Sequence, residues 1–273
     1  MKQALTLYTR IKRKQMFLAL ILGILLMLLQ LGSSFWQDKL PESIYSGVAL
    51  TAGWLLLGFV SLLNDQSRRL DTWLYTQRIS RGQLFLTRVL LLVVVPIIIG
   101  LMVNVAVVLC VHPMDLWKPL ENIIEVCIGF YFFASISALI YTVIGPSWMK
   151  VAGIIFTLFM AVTPMTYIES KLNNIWWLDF TSTFILATVL FAFSYSLSKK
   201  ISADTVDEAV RIKAFRWPVV LFVFLSSYLM ILSNNFSTLN IKVVIGSLII
   251  PLIASGITFT FVFKPTFKIT WDR

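Results

Sequence analysis

The sequence predicts an all-α integral membrane protein, a polytopic bundle of about eight transmembrane helices preceded by an amphipathic surface helix. Three observations carry this expectation. Hydrophobic residues make up 58% of the chain and charged residues 13%, which leaves too little polar surface to solvate a soluble globule of 273 residues. Eight mostly apolar stretches approach the about 20 residues needed to cross a hydrocarbon core of roughly 30 Å. Finally, 19 of the 23 Lys and Arg residues fall on alternate connections, and only Lys39, Lys118, Lys171 and Lys242 fall on the others. By the positive-inside rule the richer side is cytoplasmic, so both termini lie inside and the protein is a multi-pass component of the cell membrane.

Each element follows in order. In residues 1–15, Ala4, Leu7, Tyr8 and Ile11 recur at helical spacing while Arg10, Lys12, Arg13 and Lys14 cluster toward the membrane entry. This is the pattern of a helix lying along an anionic inner leaflet. The predicted spans are Met16–Phe35, Ile44–Asn64, Leu84–Val111, Glu121–Ile144, Val151–Tyr167, Trp177–Leu197, Trp217–Leu232 and Ile241–Phe263. The first run ends without a small-x-small cleavage site, so it reads as an uncleaved helix. Trp36, Trp117, Trp176 and Trp177 fall at predicted outer borders, and Trp148, Trp217 and Trp271 near inner ones. Between the second and third spans, Asp65–Gln83 is too polar for lipid and too long for a tight turn. Leu70, Trp73 and Leu74 are spaced as one face of a short amphipathic helix, an exposed apolar edge ringed by arginines, which Ile79-Ser80-Arg81-Gly82 terminates.

The same residues exclude several kinds of function. Asp and Glu divide six inside and seven outside, so the net charge of +10 is a topology signal and not a nucleic-acid footprint. Two cysteines exclude a disulfide scaffold, and the different depths of Cys110 and Cys127 favour packing over a bridge. A single histidine, His112, cannot build a His-based metal cluster or a His-paired nucleophile. There is no phosphate loop, so the chain is not expected to be an enzyme or to bind a metal or cofactor of its own. Intramembrane ionisable residues are nearly absent, which argues against an intramembrane enzyme or a gradient-driven carrier. Glu121 and Glu125 share a helix face near the outer border and are candidate substrate-entry residues, or simply meet headgroup water. Pro96 with Gly100, and Pro251, interrupt the helix ladder and are candidate hinges, or static kinks.

The stretch Asp71-Thr72-Trp73-Leu74-Tyr75-Thr76-Gln77-Arg78-Ile79-Ser80-Arg81-Gly82-Gln83-Leu84-Phe85, leading into Arg88 and a long apolar helix, resembles the first cytoplasmic loop of type-2 ABC exporter permeases. Arg78 stands where that family usually has proline. The basic-then-acidic segment from Lys199-Lys200 to Phe215 is similar to the linker of eight-helix permeases of the YtrC group, with Val210 in place of the usual glycine. The resemblance implies a permease with a surface helix at 1–15, a six-helix core at 16–197, a linker at 198–216, two additional helices at 217–263 and a tail at 264–273. It implies a partner cytosolic ATPase that carries ATP and Mg, and a second permease, identical or related. Leu70, Asp71, Trp73, Leu74, Arg78 and Arg81 would form the coupling element that docks on the ATPase.

Outer loops of roughly four to ten residues leave no room for an extracellular sensor domain. The expected substrate is therefore recognised by helix faces or from the bilayer: a hydrophobic or amphipathic peptide, an antimicrobial or a lipid-like compound, exported in self-protection. The alternative is a membrane immunity or scaffold protein that transports nothing.

Overall fold

The computed structural model describes residues 2–36, 46–67, 70–77, 79–111, 117–158, 176–201, 205, 208–234 and 245–263. Among these the chain is almost all helical, with short turns between helices and one isolated antiparallel bridge between Ile144 and Val210. The helices are α1 (Lys2–Trp36), α2 (Ser46–Ser67), α3 (Leu70–Thr76), α4 (Arg81–Val89) and α5 (Val95–Val111). They continue with α6 (Trp117–Val143), α7 (Ser147–Leu158), α8 (Trp176–Ser198), α9 (Arg216–Asn234) and α10 (Ile249–Phe263).

Among the described residues, four helical stretches are long and apolar enough to cross a membrane: Arg81–Ala106, Leu120–Val143, Phe180–Ser198 and Lys213–Ile231. Leu50–Asp65, Ser147–Leu158 and Ile249–Phe263 are shorter apolar helices. The far end of the predicted fifth span and the start of the eighth lie outside the described residues, as do His112 and Trp271. Within the apolar helices, hydroxyls bond one turn back along their own backbone. Thr188 donates to Phe184 O, Ser194 to Leu190 O and Thr258 to Ala254 O, at 2.7–2.8 Å. Such bonds satisfy a polar side chain without water.

Two compact units form. The first holds Met1–Leu139 and Trp176–Lys199, the second Ile140–Ile175 and Lys200–Arg273. The second unit brings together α7, α9 and α10, and within it Ile144 bridges Val210.

In the first unit, α1 packs along α2. A Cβ added at Gly23 would meet Leu50 O and Leu50 Cγ at 3.1 Å, so the glycine is what allows the two backbones to approach. We expect Gly23→Val to destabilise the protein by about 1–3 kcal/mol through this overpacking. Gly32→Ala, on the same helix with no atom within 4 Å, should leave stability unchanged or raise it. Thermal unfolding in detergent checks both. Ala19, Leu50 and Trp54 form the core of this contact, joined by Val95 and Ile99 of α5. Val108 of α5 packs with Ile123 and Cys127 of α6, and Cys127 is a buried free thiol, in keeping with a packing role. Tyr131 of α6 lies against Phe184 and Phe191 of α8, with ring centroids 5.5 and 5.0 Å away.

The predicted third span is not one regular helix. Between α4 and α5, Leu90–Val94 form a π-helical turn in which Val95 N–H donates to Leu90 O, five residues back. Pro96 follows at once. It has no N–H to give, and its ring crowds the preceding turn, so a local widening relieves both problems. Pro251 acts similarly in the second unit: the chain leaves helical geometry at Ser247–Leu248 and α10 begins at Ile249. A proline in the first turn of a helix removes no intrahelical bond. Regular α-helical winding is thus lost just before each proline, while Gly100 sits buried inside the regular part of α5.

Candidate functional site

The segment that links the second and third spans is built from two short pieces. Leu70–Thr76 make α3, closed by Thr76 Oγ1 donating to Trp73 O at 2.7 Å and by a tight turn in which Ile79 N donates to Gln77 O at 2.7 Å. Ser80 then begins the next helix, where the sequence pattern suggests a terminator. Its side chain accepts from Gln83 N at 3.3 Å, as an N-cap does, so α4 starts at Arg81 and not at Leu84. The Ser-x-x-Gln spacing was the local signal for this start.

The apolar residues of α3 do not all face outward, and the expected exposed edge needs correction. Leu74 is 1% exposed and forms a core with Tyr8, Leu84 and Leu91, against which Leu70, Ile79, Leu5 and Ile11 also pack. Trp73, by contrast, is 46% exposed. Burying an apolar pair against α1 and α4 is more favourable than leaving it in water. Arg81 is half-buried at the start of α4, whereas Arg78 and the side chain of Asp71 lie outside the described residues.

The N-terminal segment also differs from expectation. No break separates a surface helix at 1–15 from the first span; α1 is one helix of 35 residues. The reason is a buried polar knot between α1 and α2. Lys12 Nζ pairs with Asp65 Oδ1 and donates to Ser61 Oγ at 2.8 Å and Gln15 Oε1 at 2.7 Å. Ser61 Oγ donates to Gln15 Oε1 at 2.6 Å. Lys12 and Asp65 are 2% and 3% exposed, so the basic segment is tied to α2 and its apolar face covers Leu74 and Leu84. Arg88, counted as another flanking charge, is buried with its guanidinium 5.6 Å from the Tyr8 ring centroid.

α8 closes this site. A Cβ at Gly82 would meet Tyr195 Cε2 at 3.0 Å and Lys199 Cε at 3.4 Å, while Lys199 Nζ lies 4.2 Å from the Tyr195 ring centroid. Phe85 reaches the same ring at 6.3 Å. The structure thus brings Leu70, Leu74, Tyr8, Leu84 and Arg88 together around an outward Trp73. It does not bring Glu121 and Glu125 to this site. Those carboxylates sit near the start of α6, half-buried and exposed, beside the far end of α5. The length of helix between Leu84 and Val108 is roughly 35 Å.

Sequence reasoning missed the knot because Lys12, Gln15, Ser61 and Asp65 are up to 53 residues apart. The available signal was the i,i+4 pair Ser61 and Asp65 on the last turns of an otherwise apolar span. Among the described residues no group of three or more His, Cys, Asp or Glu could hold a metal ion. Comparisons with protein-family models, with curated proteins and with solved structures gave no match.

Proposed function

We propose that this chain is the membrane-spanning subunit of an ATP-binding-cassette exporter of the type-2 permease kind, working with a separately encoded ATPase. It crosses the cell membrane eight times with both termini inside, pairs with itself or a related permease, and exports a hydrophobic or amphipathic peptide, antimicrobial or lipid-like compound. One observation carries the reading: an exposed tryptophan on a seven-residue helix whose Leu70 and Leu74 are packed into the core of the adjoining helices. A partner that grips Trp73 would move α1 and α4 with it, because Leu74 and Leu70 transmit the displacement through packed atoms. Pro96 and Pro251 mark the interruptions at which the helices would bend, with Gly100 a turn further on. Glu121 and Glu125 would stand near the outer mouth. Wide exposed apolar faces on α1 (Phe17, Leu18, Leu25, Leu28) and α9 (Leu221, Phe222, Leu225) suit a lipid surround.

The test is purification of the tagged protein from its native membrane in mild detergent, with mass spectrometry and an ATP-hydrolysis assay. A near-stoichiometric ATPase is expected. Trp73→Ala should abolish its retention while leaving stability within about 0.5 kcal/mol, as for other surface substitutions. Recovery of folded protein with no ATPase would instead favour a scaffold or immunity role, and unchanged retention by Trp73→Ala would remove the coupling assignment.

A further inference from the structure

In the second unit, the chain turns from the end of α6 into α7 through a clasp made with residues 209–211. Arg211 N donates to Val143 O at 2.8 Å, Gly145 N donates to Ala209 O at 3.2 Å, and Ile144 bridges Val210. The clasp region buries two cations. Lys150 is fully buried, with Nζ 3.7 Å from the Tyr141 ring centroid. Arg211 is 4% exposed, and its Nε and Nη2 are buried without a hydrogen-bond partner among the described residues. A guanidinium does not shed its charge, so burial leaves its donors in want of acceptors. Glu208, the nearest described carboxylate in sequence, is taken by Arg216 at 3.1 Å.

The surroundings identify the missing acceptor. The clasp lies where the apolar run of α6 ends and where the turn Lys213–Phe215 leads into α9. Trp148 and Trp217 are 59% and 58% exposed, and both lie against α10: Trp148 on Phe261 at 5.5 Å, Trp217 on Phe259 at 5.8 Å and Phe263 at 5.1 Å. Exposed tryptophans at the ends of apolar helices mark the headgroup layer of a bilayer. That layer supplies phosphate, and the planar fork of arginine matches phosphate oxygens in bidentate fashion.

We propose that Arg211, in the clasp that also buries Lys150, binds the phosphate of an anionic phospholipid headgroup. The bound lipid pins the α6–α7 turn to the segment that precedes α9. This rests on the chain spanning a membrane and is independent of any ATPase partner, so the ATPase experiment can fail while this one succeeds, and the reverse.

The experiment uses the full chain in mild non-ionic detergent. Phosphatidylglycerol, phosphatidylcholine and inorganic phosphate are titrated separately, with retained lipid read by native mass spectrometry and Tm by thermal unfolding. Phosphatidylglycerol should be retained and raise Tm, and phosphatidylcholine should do neither. Arg211→Gln should weaken phosphatidylglycerol retention about tenfold or more, the loss of a charge-assisted hydrogen bond. Lys213→Gln, which removes an exposed cation two residues on, should leave retention unchanged. If Arg211→Gln does not fold, Arg211→Lys keeps the charge without the fork and should still weaken retention. Equal retention by wild type and the Arg211 variants would overturn the proposal. So would a full Tm rise with inorganic phosphate alone, which would make this a soluble-anion site. Loss of stability in Asp204→Asn or Asp207→Asn that vanishes once Arg211 is also replaced would overturn it too, by assigning the arginine a carboxylate of its own chain.

Discussion

Asp65→Ala is expected to destabilise the protein by about 3–5 kcal/mol, the range for stranding one member of a buried ion pair. Lys12 would keep Ser61 and Gln15 as neutral partners but lose the Asp65 carboxylate that offsets its charge. Neither residue can reach water without unpacking α1 from α2, since both are nearly inaccessible. The double variant Lys12→Met with Asp65→Leu should recover most of the loss, because replacing both charges by apolar groups of similar size removes the desolvation penalty along with the attraction. Thermal unfolding of the wild type, Asp65→Ala, Lys12→Met and the double variant gives the coupling directly. Additive losses would mean that the pair is not the element joining the two helices.

Leu74→Ala should cost about 2–5 kcal/mol, the usual span for truncating a fully buried leucine. Its location makes the consequence more specific than a general loss of stability. Leu74 is the residue through which α3 is inserted against Tyr8, Leu84 and Leu91. With it shortened, the amides of Leu70–Thr76 should exchange much faster, while those of α6 and α8 keep their protection. On the proposed function, Leu74→Ala retains the ATPase and loses transport, because Trp73 is still presented but no longer attached to anything stiff. Trp73→Ala loses the ATPase itself. Identical behaviour of the two variants would argue against a division of labour between the outward and inward residues of α3.

Much of the helical architecture was legible in the residues. Long apolar runs without charge become helices wherever the chain is described, and the winding departs from a regular α-helix just before Pro96 and Pro251. Trp54, in the middle of the second predicted span, is packed with Ala19 and Leu50. What was not legible depends on register between helices. Lys12, Arg88, Lys150 and Arg211 read as flanking charges because a sequence shows only that a cation lies near a span. Whether it meets headgroups, an aspartate or an aromatic ring is decided by which neighbour stands opposite. The apolar face of α3 failed in the same way: periodicity identified Leu70 and Leu74 as one face, but not that Tyr8, more than 60 positions earlier in the chain, would cover it.

The π-helical turn at Leu90–Val94 divides the third span into two differently wound halves. The buried positions Leu84 and Thr87 before it and Leu91 within it advance by three and four residues, a stripe nearly parallel to the axis. From Leu92, also within it, the buried positions Pro96, Gly100, Asn104 and Val108 follow by fours. Each four-residue step overshoots a full turn by about 40°, so the second stripe spirals around the helix. Its early members meet α2, where Thr51 Oγ1 donates to Pro96 O at 3.4 Å, and its last member meets α6 at Ile123. The buried face of the helix thus turns from α2 toward α6 along its length.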